Sequence, residues 1–242
     1  MEPVRQALDT FRHPHLTVDV ALLTLRQGAL HALLLRRREH PFAGTFTLPG
    51  GFVREHEPLA TAAARVLAEK CDLHDVFLEQ LFTFGAPDRD PRGHVVSVAY
   101  YALVPHERLH TAIGDDLDLL RLDVPWHDTS GGPIRALDAL GTEQPLGFDH
   151  AEILGTTMQR LRGKIDYAPV GFELLGETFT LLQLLEVHEA VLGRKLNKDS
   201  FRRRLLASGL LQETGDHEGE VAHRPAALYR FLRSNTNPAR LA

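Results

Sequence analysis

The chain has 242 residues, of which 43% are hydrophobic and 24% charged, with 27 lysines and arginines against 32 aspartates and glutamates. This balance excludes a disordered or low-complexity chain and leaves room for one large domain or two smaller ones. No run approaches the roughly 20 apolar residues that cross a membrane, and the start, Met1-Glu2-Pro3-Val4-Arg5, lacks the apolar core of a secretory signal.

Cys71 is the only cysteine, so an internal disulfide is impossible and a reducing, cytoplasmic setting is expected. The 14 histidines show no recurring ligand spacing, so no metal site is predicted. Charge is unevenly spread. From Arg194 to the end there are ten basic and five acidic side chains, whereas the first 193 residues hold 17 basic and 27 acidic. A basic tail on an acidic body suits an anionic partner, and equally a solvated surface.

Leu16–Leu25 and Ala29–Leu35 are apolar runs around Gln27-Gly28 and predict a β-hairpin. A loop containing Gly and Pro follows, and then Pro58 opens a helix to about Lys70, with Leu59, Ala63, Val66 and Leu67 at helical spacing. Val76–Phe84 and His94–Val104 predict two more strands. A weaker region contains Trp126, and Phe148–Arg162 reads as an amphipathic helix. The order predicts a mixed α/β domain over residues 1–163, followed by a connector over 164–176.

A smaller unit over 177–242 is predicted from its punctuation. Thr180-x-x-Gln183 has the form of a capping box, opening a helix that stops at Gly193. Asn197 caps a second helix, Lys198–Ser208, ended by Gly209, with Phe201, Leu205 and Leu206 expected to face inward. Leu210–Glu213 and Leu228–Phe231 are expected to pair, with a polar tip over Gly215–Arg224. Helix, turn, helix and hairpin make a winged helix-turn-helix. Lys195, Asn197, Lys198, Arg202, Arg203, His223 and Arg224 are its expected contacts to double-stranded DNA.

Chemistry points to the first unit. Gly51, Glu57, Arg65, Leu67, Glu69 and Leu73 fall on the pattern G-x5-E-x7-R-E-U-x-E-E-x-G-U, where U is apolar, so the segment resembles the Nudix box. In that pattern E-x-x-E-E gathers carboxylates on one helical face to hold Mg²⁺ or Mn²⁺, which bridge a pyrophosphate and activate water. Here the face reads Val66, Glu69 and Lys70, and Asp72 stands where the box has glycine. One carboxylate has become a hydrocarbon and another an ammonium. No catalytic residue and no cofactor is therefore expected.

The resemblance extends over most of the chain. Phe77–Gly85, Asp88–Gly93 and Val95–Tyr101 are similar to the Nudix-related transcriptional regulators of the NrtR family. So are Phe148-Asp149-His150, Arg162-Gly163-Lys164-Ile165 and the tail from Asn197-Lys198 to His223-Arg224-Pro225. It implies a Nudix fold with a mixed sheet between helices, a C-terminal winged helix, and a homodimeric repressor of NAD-related genes. Such a repressor would read a near-palindromic operator and sense ADP-ribose or a related nucleotide. An active hydrolase of ADP-ribose or a related nucleoside diphosphate is the alternative. Expected ligand contacts are Arg37, Gly50, Gly51, Glu57, Glu69, Lys70 and Arg89, from paired glycines that admit phosphate and from cations that fork onto it. Phe84 could face a base or belong to the core, and Arg89 and Arg92 could instead pair with Asp88 and Asp90.

Overall fold

The computed structural model describes residues 13–109, 116–219 and 225–232. β1 (His15–Arg26) and β2 (Ala29–Arg36) form the expected hairpin. Gln27 and Gly28 both have positive φ, 51° and 71°, as a tight two-residue turn between twisted strands requires.

β1 is apolar on both faces because it is covered on both. Val18, Val20 and Leu22 pack towards α1 (Leu59–Cys71), while Ala21 and Leu23 pack towards α2 (His150–Lys164). It runs parallel to β6 (Val95–Leu103) and antiparallel to β2, so the sheet is mixed. The strand order is β5-β6-β1-β2-β7-β8-β9, with β5 at Phe77–Phe84, β7 at Leu117–Asp123, β8 at Arg135–Leu137 and β9 at Glu143–Gln144. Two short strands complete it: β3 (Phe46–Thr47) pairs with β2, and β4 (Gly50–Phe52) pairs with β1. The last three strands of the order flank Trp126, where the sequence offered no clear periodicity.

The second unit has the expected winged helix-turn-helix order. α3 (Leu181–Leu192) opens with both hydrogen bonds of the Thr180/Gln183 capping box and closes on Gly193 at φ 67°. α4 (Lys198–Ala207) begins where the Asn197 side chain accepts from Ser200 N at 2.9 Å. β10 (Leu211–His217) and β11 (Ala227–Phe231) form the hairpin. Its first strand runs through Gly215 and reaches His217, so the polar tip starts later than expected.

One expectation needs correction. Leu206 is 47% exposed, so the inward face of α4 is Phe201 and Leu205 alone. Within residues 164–176, Pro169–Leu174 is a 3-10 helix whose Val170 and Leu174 lie in the sheet domain's core and whose Phe172 lies in the winged-helix core. α3 is shared in the same way, with Val187 and Val191 in the first core and Leu184 and Leu185 in the second.

α1 shows what the change at the box's glycine position does. Asp72 takes the left-handed conformation, φ 50° and ψ 40°, that ends the helix, with its N–H on Ala68 O at 3.2 Å. Aspartate tolerates that region better than most residues but still carries a cost there. Asp72→Gly is expected to stabilise the fold by about 1 kcal/mol, read as a higher denaturant midpoint at unchanged m-value.

Candidate functional site

β3, the Leu48-Pro49 turn and β4 cross the end of β1 and bring Gly50 and Gly51 opposite Asp19 and Val18. Asp19 interrupts an apolar strand, and its side chain is 11% exposed. It accepts from Ser97 Oγ at 2.6 Å and from Arg89 Nη2 at 3.3 Å. A Cβ on Gly50 would lie 2.1 Å from Asp19 Oδ1, so glycine is the residue that fits against this carboxylate.

Arg89 is held harder from the other side. Its Nε and Nη2 donate to Asp149 at 2.8 and 2.6 Å, a bidentate pair at the start of α2. Desolvation acts against charge on Arg89, and the two carboxylates more than offset it. The neighbouring His150 accepts from Leu48 N through Nδ1 at 2.9 Å, which leaves its hydrogen on Nε2, 3.8 Å from Asp19 Oδ1. Burial pushes the His150 pKa down, with Asp19 and Asp149 opposing.

These groups wall a cavity of about 240 Å³, which Arg37, Gly50, Gly51, Lys70 and Arg89 line together with Asp19, Phe52, Asp90, Arg92, Phe148 and His150. Lys70 Nζ donates to the Gly50 carbonyl, and desolvation holds its pKa below the usual lysine value, with Asp19 opposing. Two guanidiniums stand near the Phe148 ring, Arg37 at 5.1 Å and Arg92 at 5.7 Å from its centroid. Phe148 itself has φ 56°, a strained setting for an aromatic residue. A second cavity, of about 420 Å³ and lined by Phe42, Phe82, Phe84, Asp149 and Glu152, shares Arg89 and Phe148 with the first. Phe84 is 7% exposed and belongs to the core.

Five of the seven expected ligand contacts meet at this cavity, and two do not. Glu57 and Glu69 sit outside it in a cluster of arginines. Arg65 donates to Glu57 at 2.6 and 2.9 Å and to Glu69 at 3.2 Å, and Arg54 donates to Glu69 at 2.9 Å. Val66, the first position of the face, is buried and lies beneath Gly51, whose Cβ would be 3.2 Å from it. Arg89 pairs with Asp149 and Asp19 and not with Asp88, whereas Arg92 does chelate Asp90 at 2.6–3.3 Å. Asp19, Phe148, Arg92 and His150 were missing from the expected set. A carboxylate inside an apolar strand was the signal for Asp19.

A divalent ion does not fit the box residues present. Both of its glutamates are already neutralised by arginines, and the remaining positions offer a methyl surface and an ammonium.

On the winged helix, Lys198, Arg202 and Arg203 are exposed on α4, and Arg204 turns back to Asp166 at 3.8 Å. Asn197 spends its side-chain oxygen on the helix cap, and Lys195 pairs with Glu189 at 2.6 Å. His223 and Arg224 lie outside the described residues.

The Arg65 hydrogen bonds hold the Glu57 carboxyl at about 2, well below its ordinary value near 4.5. A carboxyl depressed in the fold adds stability above its unfolded pKa and loses it as pH falls towards the folded one. Glu57→Gln is therefore expected to destabilise at pH 7 and to converge on the native protein as pH falls from 4.5 towards 2, in denaturation curves taken across that range.

Residues 13–130 match the family "NUDIX domain", and residues 171–231 match the family "NrtR DNA-binding winged helix domain". The chain is 35% identical over 220 residues to a protein of Acinetobacter baylyi described as an "ADPR responsive transcriptional repressor NtrR", covering 90% of this chain and 82% of that one. It resembles the crystal structure of Shewanella oneidensis NrtR complexed with a 27mer DNA, at 37% identity and TM-score 0.75, covering 90% of this chain and 93% of the other. Its first domain resembles the NUDIX domain of Shewanella oneidensis NrtR complexed with ADP ribose, at 32% identity and TM-score 0.51, covering 66% of this chain and 99% of that one. With the box, the buried carboxylate network and the capped winged helix in one chain, the protein belongs to the NrtR family of Nudix-related transcriptional regulators.

Proposed function

We propose that this protein is a ligand-responsive repressor that binds DNA through its winged helix and senses ADP-ribose or a related nucleotide in a Nudix domain that does not hydrolyse it. The observation that carries the reading is the state of the box: Glu57 and Glu69 are held by Arg54 and Arg65, Val66 is buried, and Lys70 reaches the Gly50 carbonyl. A diphosphate needs positive charge and close backbone approach, and its hydrolysis also needs carboxylate-held metal. Arg37, Lys70 and two adjacent glycines at one cavity meet the first requirement. The genes controlled would serve NAD or related nucleotide metabolism, and no cofactor is required.

The DNA reading rests on a capped helix with Lys198, Arg202 and Arg203 exposed along it, together with the DNA complex of the Shewanella relative. A homodimer would present two such helices to half-sites of a near-palindrome about one helical turn apart.

A mobility-shift titration on the DNA upstream of the protein's own gene tests this, with and without ADP-ribose. Specific binding near 10⁻⁸ M or tighter, released by ADP-ribose, is expected. ADP-ribose turnover with Mg²⁺ in the range of ~1–10³ s⁻¹ would install the hydrolase in its place. Lys70→Glu is expected to weaken ADP-ribose binding about tenfold, roughly 1.4 kcal/mol. Arg202→Ala and Arg203→Ala are each expected to weaken operator binding and, where the contact is to phosphate, to flatten the log–log salt dependence by about one unit.

A further inference from the structure

α2 begins at the cavity and ends on the helix-turn-helix. At its first turn Asp149 holds Arg89 and His150 lines the cavity. Twelve residues after His150, about 18 Å along the axis, its last turn carries Arg162.

Arg162 is 6% exposed, and among the described residues no carboxylate lies within ion-pairing distance of it. Its Nε donates to Val191 O at 2.8 Å, and its Nη1 donates to Trp126 O at 2.7 Å and Asp128 O at 3.0 Å. Val191 belongs to the final turn of α3, where unsatisfied carbonyls concentrate negative partial charge. The guanidinium also stands 4.4 Å from the Trp126 ring centroid. Gly193 leaves room for it, since a Cβ there would lie 2.8 Å from Nη2. A buried cation is costly, and this one uses its hydrogen bonds to tie three elements together: the sensor helix, the Trp126 loop and the end of the first helix of the DNA-binding unit.

The loop is bound to the same helix further along. Gln159 Nε2 donates to Thr129 O at 2.6 Å, and Gly155 packs so closely on the Gly132 carbonyl that a Cβ would come within 1.9 Å. α2 and the Trp126 loop therefore move as one body or not at all.

We infer that Arg162 is a positioning residue that transmits the state of the cavity to the helix-turn-helix, with α2 as the shaft. The inference rests on the ligand-responsive reading above. An anion in the cavity competes with Asp149 for the Arg89 guanidinium and so acts on the first turn of α2. Arg162 carries the resulting displacement to the end of α3, and hence to the angle at which α4 is presented.

Trp126 is the only tryptophan and does not line the cavity, so its emission reports the far end of the shaft. ADP-ribose is titrated into the full-length protein by calorimetry and, in parallel, by tryptophan fluorescence. A change in Trp126 emission with the calorimetric midpoint is expected. In Arg162→Lys, ADP-ribose affinity is expected to stay within about twofold of native. The ratio of DNA dissociation constants with and without ADP-ribose should fall from roughly 5–150-fold to within about twofold of unity. Calorimetric binding with flat Trp126 emission overturns the inference, as does an Arg162→Lys protein that keeps the native ratio. If Arg162→Lys does not fold, the native emission titration decides alone. Absence of calorimetric binding to the native protein rejects the ligand-responsive reading instead.

Discussion

The buried carboxylate of Asp19 constrains everything around it. An ionised group in the middle of a covered strand must be compensated on every side, because one missing partner costs about 3–5 kcal/mol. Ser97 and Arg89 supply hydrogen bonds, His150 faces the other oxygen, and Gly50 yields the space where a side chain would collide. Arg89 is then fixed between Asp19 and Asp149, the residue that immediately precedes α2. The glycine pair, the cavity wall and the orientation of a helix across the sheet thus descend from a single charge placed in β1.

The same logic explains the altered box. Carboxylates gathered on one helical face repel each other unless cations sit among them. Bound metal ions are one solution, and the chain's own arginines are another. Arg65 spans Glu57 and Glu69, Arg54 closes the cluster, and Val66 turns its position of the face into core beneath Gly51. Lys70 carries positive charge to the Gly50 carbonyl at the cavity edge. On the proposed reading, the altered helix keeps an attraction for diphosphate while removing the means to activate water.

The parts legible in the sequence were those with local rules. The hairpin at Gln27-Gly28, the capping box at Thr180, the Asn197 cap and the glycine stops each follow from a few adjacent residues. β7 to β9 were not legible because strands of two to seven residues with mixed composition carry little periodicity. Glu57 and Glu69 followed the motif, yet their partners Arg54 and Arg65 draw them away from the cavity, and no spacing rule shows that competition. His150 lies 131 positions from Asp19, and Phe148 lies 98 from Gly50, joined to them only by the fold, although the Phe148-Asp149-His150 motif marked the place. Residues 164–176 looked like a linker because polar residues and glycines surround Val170, Phe172 and Leu174, which lie in two different cores.

That sharing of cores bears on how the two units communicate. A ligand shifts a conformational equilibrium only through a difference in its interactions with the two states, and that difference must reach the second site through groups that cannot relax independently. A loose linker would absorb it. Here α3 buries Val187 and Val191 on one side and Leu184 and Leu185 on the other, so its two faces answer to different cores. Close-packed interiors resist gradual deformation, so a displacement of α2 moves α3 or is refused. Arg162 adds directionality to that packing, because hydrogen bonds to fixed carbonyls specify one register between the helices where apolar contact alone would allow several.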